Sequence, residues 1–154
     1  MKRIRITKEF TFEMAHALRN HDGPCKNIHG HSYSLAVTVM GTPVAEEGNP
    51  KQGMVWDFSE LKHLVNHEII SRLDHALVLK MEDTVAVIEQ GSLPVGKLVM
   101  VPYQPTCENL LLDFAERLLH CLPEKVKLVR LLLRETPSSY AEWLAEENEF
   151  PGAL

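Results

Sequence analysis

His29-Gly30-His31-Ser32-Tyr33-Ser34-Leu35-Ala36-Val37-Thr38-Val39 is the stretch on which the fold turns. Tyr33, Leu35, Val37 and Val39 share one parity, and Ser32, Ser34, Ala36 and Thr38 share the other. That is the period of a half-buried strand. Stepping back by two along the apolar parity reaches His31 and then His29, so both imidazoles leave the strand on its buried side. The segment upstream has the same grammar. Ile4, Ile6, Phe10, Phe12 and Met14 alternate with Arg3, Arg5, Thr7, Glu9, Thr11 and Glu13, and His16 continues the apolar parity if no bulge intervenes. Asn20, Asp22, Gly23 and Pro24 mark residues 17–28 as a loop of a length that lets the two strands pair.

Three neutral imidazoles converging from adjacent strands make an open three-histidine site of the kind that holds catalytic zinc. The competing reading is three core histidines bonded to backbone or carboxylates, and spacing leaves both open. Cys25 lies four residues before His29 in a Gly-Pro-Cys-Lys loop, outside any apolar pattern. Beside a metal and a lysine it would favour thiolate, the form useful as base or nucleophile. An inert loop cysteine and a Cys25-containing ligand set are the alternatives. Asp74-His75 pairs an acid with an imidazole, suited to proton relay or to a plain helix-terminal ion pair. Glu135 ends an aliphatic strand on its apolar parity, where burial is costly without a partner. It is either kept for a ligand with two parallel N–H donors or is a sheet-rim carboxylate. His21, His63, His67 and His120 read as surface or structural groups, and Cys107 and Cys121 as packing residues.

The remaining elements follow from caps and periodicity. Asp57-Phe58-Ser59-Glu60 predicts a helix start, with Asp57 capping, Glu60 reaching back, and Phe58, Leu61, Val65 and Ile69 on one side. Residues 76–104 set no clear period, apart from Val85-Ala86-Val87-Ile88, a turn region from Gly91 to Gly96 and a short strand at 97–101. Thr106 caps a second helix that buries Leu110, Leu111, Phe114, Leu118 and Leu119, and Pro123 closes it. Residues 126–135 form a strand with Val129, Leu131, Leu133 and Glu135 on one parity, and residues 139–143 return as a hairpin. The order predicts one α+β domain over residues 1–154: a four-stranded antiparallel sheet with two helices on one face. Its open edges need protection, for which oligomerisation is one remedy.

Composition narrows the function classes. The 154 residues carry 16 Lys and Arg against 21 Asp and Glu, a net charge of −5. That balance disfavours a domain built to grip nucleic acid or an anionic membrane. No apolar run approaches a bilayer span, and the N-terminus lacks a signal peptide's unbroken apolar stretch. Three cysteines without a C-x-x-C pair point to a reducing, cytoplasmic setting.

Phe10-Thr11-Phe12-Glu13-Met14-Ala15-His16, Cys25-x-x-x-His29-Gly30-His31, Asp57-Phe58-Ser59-Glu60-Leu61-Lys62, Leu73-Asp74-His75, Pro105-Thr106-Cys107-Glu108-Asn109 and Arg134-Glu135-Thr136 occur in that order. Together they resemble the 6-pyruvoyl-tetrahydropterin synthase and 6-carboxytetrahydropterin synthase family over residues 4 to 143. The resemblance implies the tunnelling fold, whose subunits join sheets into a barrel and stack as a hexamer, a dimer of trimers. It implies zinc on His16, His29 and His31, catalytic roles for Cys25, Asp74 and His75, and substrate contacts from Glu135 and Thr106. The implied substrate is 7,8-dihydroneopterin triphosphate. The C-x-x-x-H-G-H spacing resembles the carboxy synthases of queuosine biosynthesis, which release acetaldehyde and triphosphate. A pyruvoyl synthase and a non-catalytic zinc or pterin-binding module are the alternatives. Gln104 stands where the family commonly has asparagine, and Lys26 and Lys51 are the candidates for the triphosphate.

Overall fold

The computed structural model describes residues 2–81 and 95–148. Strands β1 (Ile4–His16) and β2 (His29–Gly41) pair antiparallel over their full length, from Ile4 opposite Gly41 to His16 opposite His29. No bulge interrupts them, so the parity read from sequence survives. Phe10, Phe12, Met14 and His16 are buried on the face that also buries Tyr33, Leu35, Val37 and Val39.

Asp57 caps α1 (Phe58–Val65), accepting from the Ser59 N–H. The reciprocal half of the capping box is not made. Glu60 instead accepts from Trp56 Nε1 at 2.6 Å and pairs with Lys51. Phe58 is also not on the buried side. It is 51% exposed, whereas Leu61, Val65 and Ile69 are buried. Leu61, Val65, Ile69 and Leu73 recur every four residues, which overruns the ~3.6 of an α-helix. A wide π turn at Asn66–Ile70, followed by an α turn at Ser71–Leu73, keeps Ile69 and Leu73 on the core side.

The second helix, α2 (Cys107–Cys121), is capped by Thr106, whose Oγ1 accepts from the Asn109 N–H at 3.3 Å. Leu110, Leu111, Phe114 and Leu118 are buried as expected, and Leu119 packs partly buried against the core. Cys107 is buried, whereas Cys121 is exposed on the last turn rather than packed.

The antiparallel quartet is present as β1, β2, β5 (Val126–Thr136) and β6 (Ser139–Leu144). The sheet, however, has six strands rather than four. β3 (Ala76–Lys80) lies parallel beside β1, and β4 (Leu98–Val101) lies parallel beside β3, giving the order β4-β3-β1-β2-β5-β6. The expected strand at 97–101 is therefore β4. The Val85–Ile88 run and all but the end of the Gly91–Gly96 region lie outside the described residues.

One apolar cluster joins the inner face of the sheet to both helices, so the helices share that face. Truncating a fully buried member such as Leu35 or Leu110 to alanine would cost about 2–5 kcal/mol. Two irregularities in β5 matter for the site. Between Thr38 and Val39 the partner shifts from Arg130 to Leu128, so Val129 is an extra residue and is not buried with Leu131 and Leu133. Between Arg134 and Thr136 the β5–β6 register shifts again, and Glu135 sits at that break.

Candidate metal centre and active site

The end of the β1–β2 ladder brings the three predicted histidines together. His16 stands directly opposite His29, and His31 opposite Met14. One ligand atom from each of His16, His29 and His31 lies within 4.8 Å of the other two, and Cys25 is not part of that group. His16 is 2% exposed.

The hydrogen bonds around these rings decide what the cluster is for. His16 Nδ1 donates to the Pro105 carbonyl at 2.7 Å, and His29 Nδ1 donates to the Asn27 carbonyl at 2.8 Å. A carbonyl can only accept, so each Nδ1 carries a proton and each Nε2 of a neutral ring carries a lone pair. These two Nε2 atoms face each other at 3.2 Å. Two lone pairs at that distance repel, and a proton between them would charge a part-buried pair. Burial holds the His16 imidazole below its ordinary pKa, His29 adds to that, and the Pro105 carbonyl opposes it. With His16 and His29 oriented by carbonyls and all three rings gathered at one point, the group could hold a metal ion. The core-histidine alternative accounts for the Nδ1 contacts but leaves the Nε2 confrontation unexplained. The donor set fits a divalent cation.

Glu135 reaches the same place from the β5 break. Its Oε1 lies 3.6 Å from both His16 Nε2 and His31 Nε2. Tyr33 donates its O–H to that oxygen at 2.9 Å. Burial and the adjacent carboxylate hold the Tyr33 phenol far above its ordinary pKa, so it is a permanent donor. The parity of Tyr33 marks it as a core residue and does not show this contact. The signal was available, since a tyrosine on the apolar parity two residues past His31 needs a partner for its hydroxyl.

The Asp74–His75 pair is made but sits apart from the cluster. His75 Nδ1 is 3.1 Å from Asp74 Oδ1, and its side chain is 76% exposed. Asp74 accepts from the Glu13 N–H at 3.0 Å, which with His75 holds its carboxyl below the ordinary value. His75 adopts φ 59° in the left-handed region, and its N–H donates to the Glu13 carbonyl at 2.7 Å. Lys97 clasps the same turn, with Nζ donating to the Ser71 and Asp74 carbonyls at 2.7 and 2.8 Å. A cleft of about 530 Å³ is shared by His75, His31, Glu13 and Lys97.

Cys25 occupies a 3₁₀ turn, Pro24–Lys26, and is half-buried, with its carbonyl accepting from the Leu18 N–H. Thr106 adjoins Pro105, and its hydroxyl oxygen is engaged in the helix cap. Lys51 bonds Asp57 and pairs with Glu60 at the start of α1. His21, His63, His67 and His120 are exposed, as expected.

The sequence profile of the 6-pyruvoyl tetrahydropterin synthase family matches residues 5–146. The chain belongs to that family. It is 36% identical over 144 residues to a Haemophilus influenzae protein named 6-carboxy-5,6,7,8-tetrahydropterin synthase, covering 91% of this chain and 98% of that one. A Rickettsia bellii protein of the same name is 28% identical over 141 residues, covering 90% and 99%. Two solved structures share the fold. An uncharacterized protein from Wolinella succinogenes has TM-score 0.74 at 21% identity, covering 94% of this chain and 99% of that one. The Caenorhabditis elegans 6-pyruvoyl tetrahydropterin synthase has TM-score 0.64 at 23% identity, covering 94% and 97%.

Proposed function

We propose that this chain is a zinc-dependent carbon–carbon lyase of queuosine biosynthesis. It converts 7,8-dihydroneopterin triphosphate and water to 6-carboxy-5,6,7,8-tetrahydropterin, acetaldehyde and triphosphate. The observation that carries the reading is the facing pair of Nε2 lone pairs on His16 and His29, completed by His31. The relatives named 6-carboxy-5,6,7,8-tetrahydropterin synthase, matched over nearly their whole length, support the choice of product.

His16, His29 and His31 would hold the zinc, which when bound supplies Lewis-acid stabilisation of negative charge on substrate side-chain oxygens. Glu135 accepts the paired N–H groups of the pterin ring, a charge-assisted contact that fixes the ring's orientation. Tyr33 holds that carboxylate in place through Oε1. Cys25 takes a proton as thiolate, and His75, oriented by Asp74, delivers or accepts its counterpart. Thr106 contributes a hydroxyl at the substrate. The two electrons gained by the ring come from the side-chain carbon that becomes the carboxyl group, with protons moved by acid–base transfer, so no external reductant is required.

Residues 1–154 act as one domain in the cytoplasm on a small-molecule pterin triphosphate, without nucleic acid or membrane as partner. No helix among the described residues is long and apolar enough to cross a membrane. Among the described residues the sheet ends at β4 and β6. Edge-to-edge joining of copies into a barrel, stacked as a hexamer, would cover them.

The decisive experiment incubates zinc-loaded protein with dihydroneopterin triphosphate and identifies the pterin by mass while assaying acetaldehyde. Carboxytetrahydropterin with equimolar acetaldehyde is expected. A pyruvoyl pterin without acetaldehyde would make the chain a pyruvoyl synthase. Cys25→Ala separates enzyme from binding module: zinc should be retained and turnover lost.

A further inference from the structure

The peptide that joins Asp74 to His75 is pinned at both ends. Its N–H donates to the Glu13 carbonyl at 2.7 Å, and its carbonyl, that of Asp74, accepts from Lys97 Nζ at 2.8 Å. Asp74 (φ −61°, ψ 126°) and His75 (φ 59°) have the angles of the two central residues of a type II turn. The second of these positions favours glycine, and a histidine there is in a conformation uncommon for a residue with a side chain. Turning the peptide over would give a type I turn, which suits histidine better, but would set the Asp74 carbonyl against the Glu13 carbonyl. The turn would then leave β1, and the Asp74–His75 pair with it. We infer that Lys97 is a positioning residue: by holding the Asp74 carbonyl it keeps His75 at the cleft shared with His31. That His75 moves a proton there rests on the lyase reading, whereas the clasp rests on geometry alone.

Lys97 is suited to this task by its own anchorage. It directly precedes β4, and its carbonyl accepts from the Leu77 N–H at 2.9 Å, so its backbone is fixed against β3 just beyond His75. Its side chain reaches back across the turn. Besides the Asp74 carbonyl, Nζ takes the Ser71 carbonyl at 2.7 Å, in the α turn Ser71–Leu73. Carbonyls at a helix C-terminus lack intrahelical partners and carry partial negative charge, which an ammonium complements. One of the two contacts is exposed and the other part-buried, so water could take the place of the ammonium without leaving a polar group stranded. Water would not do the same work. An ammonium only donates, so it holds a carbonyl and rejects the N–H of a reversed peptide, whereas water accepts either.

The test compares zinc-loaded full-length protein with Lys97→Met, which keeps the stem and removes the donors. Amide hydrogen exchange is followed by NMR, and kcat and KM are measured for dihydroneopterin triphosphate. The His75 amide should exchange about tenfold faster in the variant, while the amide of Leu35, buried in central strand β2, and the zinc content stay unchanged. The kcat should fall about 10²-fold, the scale of a displaced group, with KM changed less than about threefold. Lys97→Arg, which retains a cationic donor, should recover most of both. In a His75→Ala background, followed by single turnover, Lys97→Met should slow the reaction less than about twofold further, because its effect runs through the ring. An unchanged His75 amide, an undiminished loss in the His75→Ala background, or a rise in KM with kcat intact would each overturn the assignment. If the amide responds as expected but wild-type protein releases no carboxytetrahydropterin, the clasp stands and the lyase reading falls.

Discussion

His16 and His75 both lie beside the end of β1, yet the protein treats them in opposite ways. His16 is 2% exposed, and both of its ring nitrogens face fixed partners: the Pro105 carbonyl on one side and the His29 ring on the other. His75 is largely exposed, in a left-handed turn held by backbone contacts to Glu13 and by Lys97. The first environment suits a ligand, which must remain neutral and in place. The second suits a proton carrier, which must exchange with substrate or solvent. Strand register builds the buried site, whereas contacts made around a turn build the exposed one.

Removing a ring from each region should therefore give different failures. His16→Ala is expected to lose bound zinc and to abolish detectable turnover. Metal content by atomic emission, measured beside activity, checks this. His75→Ala should keep a full complement of zinc and lose activity by about 10²–10⁴-fold, the usual contribution of a positioned acid–base group. Its thermal midpoint should barely move, since the ring is exposed. Zinc loss in His75→Ala would erase the contrast.

A smaller effect is expected at Tyr33. Tyr33→Phe keeps the ring, stacked 5.1 Å from Phe12, and deletes only the hydroxyl that donates to Glu135. Leaving that partly buried carboxylate short of a donor should cost roughly 1–3 kcal/mol in urea unfolding at neutral pH. Zinc should remain bound, and KM for the pterin should rise more than kcat falls. An unchanged urea midpoint would mean that Glu135 does not depend on Tyr33.

The same contrast explains what could be read in advance. Parity alone placed His16, His29 and His31 on one face, because β1 and β2 pair without a bulge over that stretch. It failed at Val129, where an extra residue in β5 switches the face, and such a residue is invisible until the partner strand is known. β3 escaped notice for a different reason. Ala76, Leu77, Val78 and Leu79 are all buried between β1 and β4, so no alternation marks them as strand. Asp74 and His75 were found by residue type. Their geometry depends on Glu13 and Lys97, each more than 20 residues away, which local pattern cannot show.

The exposed turn should also carry its own acid signature. The Glu13 N–H, with His75, holds the Asp74 carboxyl below its ordinary pKa, so the unfolded chain takes up its proton first as pH falls. In the window between the unfolded and folded values the unfolded state binds more protons, and stability there rises with pH. The contribution of Asp74 is therefore fully present above the ordinary aspartate range, near pH 4, and is lost as pH falls through the folded value. Asp74→Asn should lower the melting temperature above pH 6, where that contribution is fully present, and flatten the acid limb so that the two proteins converge toward pH 3. Melts at half-unit intervals from pH 6 to pH 3 would show the difference. Parallel limbs in the two proteins would mean that the carboxylate is not what the backbone of β1 holds, and that the turn owes its shape to Lys97 and the Glu13 carbonyl alone.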